Sequence, residues 1–485
     1  MSELLKLQPV AIWKHFQDLC NIPRPSKKET KAVEFIVDFA KKHKLPYKVD
    51  KVGNVVISKP ASKGKEKSPT VVLQTHLDMV PQKNSGTIHD FEKDPIQPFI
   101  DGDWVKAKGT TLGADNGVGV ASALAVLESN EIINGPVEAL FTVDEETGMT
   151  GAFNLTSDFI KGKILLNLDS EEVDELTIGC AGGMNTTATF DYKKEPVKGD
   201  VSAYKLSITG LKGGHSGVDI QLGRGNANKL LNRFMWNAER IFEMRLCSID
   251  GGNIRNAIPR ESFAIVTIPN KFKKDFIDSA SSFLKIYRNE LAGVEPDLNF
   301  SVESISLPEF WIDKTTQKHL LDSLYALPNG VIRMISEMPD VVETSTNLAI
   351  VKSTETQIEV MCLLRSSVDS AKKDLGNMME SVFEMAHATT IHDGEYPGWK
   401  PNFDSPLLQI MKGTSKKLTG KDPIVKVIHA GLECGLIGDV YPNMDMISFG
   451  PTILHPHSPD EKVNIPSVAS YWKYLIETLK AIAGK

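Results

Sequence analysis

Residues 71–80 read VVLQTHLDMV, an apolar run of strand length that leads into two polar side chains, His76 and Asp78. Four more polar side chains follow later apolar runs in the same way, and these are Asp115, Glu146, Asp169 and His457. The carboxyl ends of parallel strands gather at one edge of a sheet, where functional groups collect. The pattern therefore predicts that two imidazoles and several carboxylates converge at such an edge.

The composition limits the class of protein. A chain of 485 residues exceeds what one core usually serves, and its 41% hydrophobic residues can fill two or more domains. The net charge of −7, from 55 basic and 62 acidic residues, argues against nucleic acid as a partner. The five cysteines form no CxxC pair, and no apolar run reaches the roughly 18 residues of a membrane span. We expect a cytoplasmic protein with no membrane partner.

The first third of the chain alternates between helical and strand patterns. Apolar spacing predicts helices over Pro9–Cys20 and Lys27–His43, the second capped by Ser26, and then a strand over Tyr47–Ser58. A glycine-rich turn, GADNGVG, precedes a helical stretch and places Asp115 at the helix N-terminus. Two further apolar strands, Pro136–Val143 and Ile164–Leu168, end in acids. This alternation predicts a mainly parallel central sheet flanked by helices.

The pattern changes near Gly182 and changes back near Gly394. Between these residues the strands alternate apolar and polar side chains and are followed by helices, which predicts an α+β domain with a roughly repeated order of elements. The last ninety or so residues return to the first pattern. We therefore predict an α/β catalytic domain that is discontinuous, formed by residues 1–183 and 397–485 and interrupted by a separate domain over 184–396.

The converging residues suit a pair of divalent cations. Imidazole and carboxylate are the usual ligands of such ions, and two ions about 3.5 to 4 Å apart need a carboxylate that bridges them. We assign the bridge to Asp115. One ion would then bind His76 and Asp169, and the other Glu146 and His457.

Two neighbouring acids complete the predicted chemistry. A bridging water activated by the ions would become a hydroxide nucleophile, and Glu145, beside Glu146, can accept its proton as general base. Asp78 lies two residues beyond His76 on the same side of the strand, so it can receive the second N–H of that imidazole.

Each motif also has an ordinary interpretation. An HxD triplet alone is more often a surface turn, and the acids at 144–146 could form a solvated loop. Asp169 and the acids after it could open a helix, and His455 and His457 could belong to an exposed loop. Five such coincidences at strand ends are much less probable than one, which favours the metal site.

Five motifs carry a family resemblance, which spans nearly the whole chain. THLDMVP (75–81), GADNG (113–117), DEETG (144–148), NLDSE (167–171) and HPHSPDE (455–461) resemble those of the aminoacylase and carnosinase-like dizinc peptidases, in family order and with every ligand position present. The resemblance implies the ligand, base and orienting roles given above. It also implies a cis peptide between Asp115 and Asn116, and a lid function for the central domain.

The resemblance further implies residues that act on the substrate. His215, in GGHSG, would stabilise the oxyanion of the tetrahedral intermediate, although the motif alone fits a tight glycine turn with an exposed histidine. Arg365 and Asn256 are similar to lid residues that bind the substrate's terminal carboxylate, although a strand-end arginine is more often a surface ion pair. Glu433, in GLECG, is a candidate for binding the ammonium group.

These observations lead to an expected activity and two alternatives. We expect a metallo-dipeptidase that hydrolyses dipeptides with free amino and carboxyl ends, Xaa-His among them, with two zinc ions per subunit or cobalt or manganese as substitutes. The resemblance also favours a homodimer. The alternatives are an N-acyl amino acid amidohydrolase of the same family and a catalytically silent metal-binding protein.

Overall fold

The computed structural model describes residues Glu3–Gly484. Numbered in chain order, the strands of these residues are β1 (Tyr47–Val49), β2 (Val55–Lys59), β3 (Val71–His76), β4 (Pro98–Asp101), β5 (Trp104–Ala107), β6 (Val137–Thr142), β7 (Ile164–Asn167), β8 (Glu175–Cys180), β9 (Gly182–Asp191), β10 (Lys194–Pro196), β11 (Val201–Thr209), β12 (Gly214–His215), β13 (Arg245–Gly251), β14 (Ala257–Ile258), β15 (Ser262–Pro269), β16 (Asn299–Ile305), β17 (Phe310–Ile312), β18 (Gly330–Ile335), β19 (Met338–Ser353), β20 (Gln357–Ser366), β21 (Thr389–Tyr396), β22 (Ile424–Ile428), β23 (Asp445–Ser448), β24 (Ile453–Leu454) and β25 (Lys462–Asn464).

The α-helices are α1 (Val10–Cys20), α2 (Thr30–His43), α3 (Ala114–Glu128), α4 (Glu145–Gly148), α5 (Thr150–Phe153), α6 (Ala227–Phe242), α7 (Lys273–Glu290), α8 (Lys314–Ala326), α9 (Asp369–Met385), α10 (Pro406–Thr419), α11 (Glu433–Val440) and α12 (Ile465–Ala483). Three short 3₁₀ helices cover Glu3–Lys6, Ile220–Leu222 and Asn270–Phe272.

The chain divides into two compact units. The first comprises Met1–Gly179, Trp399–Val427 and Leu432–Lys485, and the second comprises Cys180–Gly398 and Ile428–Gly431. The segments predicted from the sequence are 1–183, 184–396 and 397–485. The short stretch Ile428–Gly431 belongs with the second unit, where the backbone N–H of Ala181 contacts the carbonyl oxygens of Ile428 and Ala430 at 3.0 and 3.1 Å.

The first unit is built on an eight-stranded sheet with the order β1-β2-β6-β3-β7-β23-β8-β22. Its middle four strands, β6, β3, β7 and β23, are parallel. β1 and β2 extend one side as antiparallel strands, and β8 pairs antiparallel with β23 on the other. The predicted α/β fold is therefore confirmed, with the parallel pairing concentrated in the middle of the sheet.

The middle strands are buried along their whole length. Every residue of β3 and of β6 is buried, and so are the last three of β7. Strands covered on both faces read as continuous apolar runs, which is why the sequence shows no alternation here. Gln74 is a polar residue in the middle of β3, and its side chain donates to Glu433 and accepts from Asn167.

The opening segment differs from the prediction in two places. Ser26 does not cap α2, because the helix begins four residues later with Glu29 at the N-cap position, and the Ser26 hydroxyl donates to Asp78 Oδ2 instead, at 2.8 Å. The predicted strand over 47–58 is a hairpin, β1 and β2. The Asp50 carboxylate accepts the backbone N–H groups of Val52 and Gly53, and Gly53 adopts φ +107°, so the chain reverses there.

The second unit holds a sheet with the order β16-β11-β15-β13-β19-β20-β9-β21, to which β18 is attached through β19. The order is symmetric about the β13–β19 pair. One half consists of β16, β11, β15 and β13 with helices α6 and α7, and it ends at Ile305. The other half consists of β19, β20, β9 and β21 with helices α8 and α9, and it ends at Tyr396. The roughly repeated order of elements seen in the sequence corresponds to these two halves, and the helices cover one face over a shared apolar core.

Candidate metal centre

The acids and imidazoles of the first unit collect where parallel strands end. β3 ends at His76, and Asp169 lies two residues beyond the end of β7. β6 ends at Thr142, after which the chain turns through Asp144, with φ +52°, into the short helix that carries Glu145 and Glu146. The three neighbouring parallel strands therefore deliver their polar side chains to one edge of the sheet.

Asp115 lies between the two histidines. Its Oδ1 is 3.1 Å from Nε2 of His76, and its Oδ2 is 3.2 Å from Nε2 of His457. Asp115 itself has non-helical dihedrals (φ −79°, ψ 112°) at the start of α3, and its peptide bond to Asn116 is cis, as the resemblance implied. The two oxygens of one carboxylate thus face two different imidazoles.

Each imidazole also faces a second carboxylate. His76 Nε2 is 3.2 Å from Asp169 Oδ1, and His457 Nε2 is 2.9 Å from Glu146 Oε2. Each of these trios offers ligand atoms that lie within 4.8 Å of one another: His76, Asp115 and Asp169 in one, and Asp115, Glu146 and His457 in the other. The trios share only Asp115, which is the arrangement that two ions with one bridging carboxylate would need.

The donor set fits divalent cations. Glu146 Oε1 is buried and has no hydrogen-bond partner among the described residues. A buried oxygen without a partner is costly, and a cation bound by this oxygen would remove that cost. Two imidazoles with three carboxylates are ligands of the kind that zinc, cobalt and manganese accept.

The acids and imidazoles of the site shift one another's pKa values. Burial disfavours the charged imidazole of His76, but Asp169 and the other nearby carboxylates outweigh this effect and raise its pKa well above the usual value. Hydrogen bonds with Asp115 and Glu146 raise the pKa of His457 to about 11. Burial raises the pKa of Asp169 to about 6. The carboxylates therefore favour positive charge between them, whether it is carried by an imidazolium or by a cation.

Asp78 connects the elements behind the site. It is fully buried, and its Oδ1 lies 3.3 Å from His76 Nδ1 and accepts the backbone N–H of Glu145 at 3.0 Å. Its Oδ2 accepts the N–H of Glu146 at 3.2 Å and the Ser26 hydroxyl. Burial alone would raise the pKa of Asp78, but the contact with His76 and these hydrogen bonds lower it to about 2. The carboxylate thus stays charged and orients both the imidazole and the loop of acids.

The comparison with known proteins follows this geometry. The family model described as peptidase family M20/M25/M40 matches residues 72–481. The chain belongs to this peptidase family. The match includes every residue of the two trios.

Individual M20 relatives cover the chain from end to end. It is 47% identical over 486 aligned residues to the cytosol non-specific dipeptidase of Escherichia coli (strain K12), with 100% of both chains covered. Its structure is similar to that of the aminoacylhistidine dipeptidase from Vibrio alginolyticus, with a TM-score of 0.95, 46% identity and 99% and 98% of the two chains covered. The family resemblance predicted from the motifs is therefore confirmed.

A more distant structure shares the M20 fold alone. The aminopeptidase PepT from Bacillus cereus aligns with a TM-score of 0.59 at 16% identity, covering 99% of this chain and 100% of its own.

Within Glu3–Gly484, no helix combines the length and apolar character needed to cross a bilayer.

Two further acids of this M20 peptidase differ in their surroundings. Glu145 offers a ligand atom within 4.8 Å of His76 and Glu146 but belongs to neither trio around Asp115. Burial raises its pKa well above the usual value, and the surrounding carboxylates add to the increase while His76 opposes it. Glu433, at the start of α11, is fully buried; Oε2 accepts from Gln74 at 2.6 Å and Thr142 at 2.7 Å, whereas Oε1 has no hydrogen-bond partner among the described residues.

The remaining predicted residues lie together in the second unit. His215 Nδ1 accepts the backbone N–H groups of Gly217 and Val218, both at 3.2 Å, which assigns its proton to Nε2. That nitrogen lies 3.5 Å from Nη2 of Arg365, so two donors face the same space. Asn256 is exposed in the turn before β14, and its carbonyl oxygen accepts the N–H of Ser216 at 2.8 Å.

Two residues beside this cluster, His429 and Tyr396, could not be identified from any sequence motif. The buried His429 has its Nε2 2.7 Å from the Ser345 hydroxyl, and the Tyr396 hydroxyl lies 3.2 Å from Nη1 of Arg365. Burial, and then Arg365 and His215, lower the pKa of His429 to about 3. His429 stands two residues before the GLECG motif, but only the fold brings it to Ser345 and Arg365.

The buried His429 should make stability depend on pH. Its pKa in the folded protein, about 3, lies below the ordinary value of 6.5, so between these values the unfolded chain binds a proton that the folded chain does not. Stability is then complete above pH 6.5 and falls as the pH decreases. Between pH 7 and pH 5 we expect the parent to lose about 2 kcal/mol more than His429→Gln, measured by chemical denaturation.

The same experiment contains its control. Above pH 7.5 the histidine is neutral in both states, so the two proteins should differ by a constant free energy of unfolding. Parallel curves down to pH 5 would contradict the assignment of His429 as a buried neutral imidazole.

Proposed function

We propose that this M20 peptidase is a metallo-dipeptidase that hydrolyses dipeptides with free amino and carboxyl ends, Xaa-His peptides among them. The observation that carries the proposal is Asp115, whose two oxygens face the imidazoles of His76 and His457 within 3.2 Å. The similarity to the dipeptidases of Escherichia coli and Vibrio alginolyticus supports the choice of substrate class.

The proposed cofactor is a pair of zinc ions per subunit, with cobalt or manganese as substitutes. His76 and Asp169 would hold one ion, Glu146 and His457 the other, and Asp115 both. When bound, such a pair polarises a peptide carbonyl and lowers the pKa of bound water from roughly 16 to about 7. The unpartnered buried Oε1 of Glu146 supports this assignment.

Glu145 is the proposed general base and acid. Its carboxylate is near the trios without being needed by either, so it can accept the proton of the attacking water and pass it to the departing amine. Asp78 would orient the imidazole of His76.

The two ends of the substrate are assigned to different residues. His215 and Arg365 direct N–H donors into one space, an arrangement that an anionic oxygen would satisfy; we assign His215 to the oxyanion and Arg365, with Asn256, to the terminal carboxylate. The free Oε1 of Glu433 is assigned to the ammonium group.

The cellular setting is also part of the proposal. We assign the protein to the cytoplasm without nucleic-acid or membrane partners, supported by a net charge of −7 and by the Escherichia coli relative, whose name places it in the cytosol. We also propose a homodimer, on the family resemblance alone. Sedimentation equilibrium tests the oligomeric state, since a mass of 53.4 kDa would mean a monomer.

Hydrolysis before and after metal removal tests the function. Ala-His and carnosine should be cleaved by the purified protein, and dialysis against 1,10-phenanthroline should reduce the rate at least about 100-fold because the nucleophile depends on the ions. Adding back zinc, cobalt or manganese should restore it. Undiminished activity after chelation would exclude the metal mechanism, and faster cleavage of N-acetyl-histidine-type substrates would indicate an amidohydrolase.

Replacing Glu145 separates chemistry from metal binding. Glu145→Gln keeps the volume but cannot accept the proton, so kcat should fall roughly 10²- to 10⁴-fold while the metal content remains that of the parent. Glu172→Gln, an exposed acid on the loop after Asp169, is the matched control and should retain activity. A Glu145→Gln enzyme within threefold of the parent kcat would remove Glu145 from the mechanism.

End-group selectivity tests the substrate contacts. We expect Glu433→Gln to lose roughly 10- to 100-fold in preference for a free over an acetylated amino end, and Arg365→Gln a similar factor for a free over an amidated carboxyl end, because each loses a charge-assisted hydrogen bond. Arg333→Gln, an exposed arginine of the second unit paired with Glu343, is the control. Unchanged kcat/KM ratios would leave these residues with a structural role only.

A further inference from the structure

The carboxylate of Glu461 binds the turn that carries Asp115. Its Oε2 accepts the backbone N–H groups of Leu112 at 2.7 Å and Gly113 at 2.9 Å, and its Oε1 accepts those of Ala114 at 2.7 Å and Asp115 at 3.2 Å. The side chain is 2% exposed. One buried carboxylate therefore takes four consecutive amides, ending with that of Asp115.

The carbonyl side of the same turn is bound by a buried arginine. Arg24 donates from Nη2 to the Gly113 carbonyl at 2.5 Å, and from Nη1 to the carbonyls of Leu77 at 3.0 Å and Asp78 at 2.8 Å. Gly113 adopts φ +69°, and a Cβ there would approach Arg24 Nη2 to 2.6 Å. Arg24 thus ties the turn to the chain segment that follows His76.

These contacts connect the three segments that place the two imidazoles and the bridge. Glu461 lies four residues after His457 in the same loop, so it joins the His457 loop to the Asp115 turn. Arg24 joins that turn to the end of β3. If Glu461 served stability alone, its backbone donors could come from any part of the unit. All four of its donors instead belong to the turn that sets the direction of the Asp115 side chain.

We propose that Glu461 is a positioning residue that holds the Leu112–Asp115 turn so that the two oxygens of Asp115 face His76 and His457, with Arg24 as its counterpart on the carbonyl side. It acts on the geometry of the metal pair and not on the substrate. The inference rests on the proposed dinuclear site, and residues that orient metal ligands typically affect metal affinity by roughly 10- to 100-fold.

Metal affinity of Glu461→Gln in the full chain tests the proposal. Glutamine keeps the volume, but its NH₂ group would face two backbone N–H groups, so half of the contacts are lost. We expect the affinity for zinc, measured by competition with a chromophoric chelator, to fall roughly 10- to 100-fold for at least one ion. KM for Ala-His should stay within threefold, and kcat should recover as the zinc concentration is raised.

Glu138→Gln is the matched control for loss of stability. Glu138 is 7% exposed on β6, and its Oε2 accepts the backbone N–H groups of Lys161 at 2.8 Å and Gly162 at 3.0 Å, at the end of the strand away from the site. Both variants should lose stability, but only Glu461→Gln should lose zinc affinity. Equal zinc affinity in Glu461→Gln and the parent overturns the proposal, as does an equal loss in both variants.

Amide hydrogen exchange of the unaltered protein provides a test that needs no variant. If Glu461 holds the turn by itself, the amides of Leu112–Asp115 should be protected in the metal-free protein as well as in the zinc-loaded one. Exchange of these amides within seconds in the metal-free protein overturns the proposal. A protein that binds no zinc at all would instead refute the dinuclear site, so the two failures are distinguishable.

Discussion

The site depends on the cost of holding several carboxylates together in a buried place. Two unit charges 4 Å apart interact by about 4 kcal/mol at the effective dielectric of a protein near its surface. Asp115, Glu146 and Asp169 each lie within 4 Å of at least one of the two imidazoles, and Glu145 is close by. Such a set is stable only if positive charge lies beside it, and for the same reason the carboxylates raise the pKa of both imidazoles.

The parallel sheet makes this concentration of charge possible. The backbone N–H and C=O groups of the middle strands are hydrogen-bonded within the sheet. The side chains at the strand ends are therefore not needed to satisfy the backbone and can form the metal centre. Beneath them lies a buried polar layer in which Gln74 connects Asn167 on β7 with Glu433 on α11. This layer fixes neighbouring strands and a helix relative to one another just behind the ligands. Burying these polar side chains is costly. The hydrogen bonds between Gln74, Asn167 and Glu433 offset that cost because the fold holds each of the three side chains in place.

Much of this organisation could be predicted from residues close in sequence. Apolar runs mark β3, β6 and β7, and the acids after them were identified because a strand end is a local feature. Ser26 was misassigned because its preference for capping is also local, whereas its actual partner, Asp78, lies 52 residues away. The hairpin of β1 and β2 was missed because the Asp50 turn interrupts a pattern that otherwise alternates.

The contacts that orient the ligands are long-range and could not be predicted. Arg24 lies 89 residues from the Gly113 carbonyl it binds, and Glu461 lies 349 residues from Leu112. Both belong to unremarkable local sequence, although Glu461 ends a motif chosen for its histidine. Sequence patterns identify side chains that could bind a metal. The residues that orient those side chains are recognised only in the fold, because they contact backbone amides and carbonyls, which every residue type offers.

The two units differ in the chemistry of their clustered side chains. The first unit supplies acids around the metal centre, and its buried Arg24 donates to backbone carbonyls. The second unit supplies donors: a guanidinium with an unpartnered buried Nε and an imidazole whose proton is assigned to Nε2. A dipeptide carries one cationic and one anionic end. Acids alone would repel a carboxylate, whereas a guanidinium such as that of Arg365 would attract it.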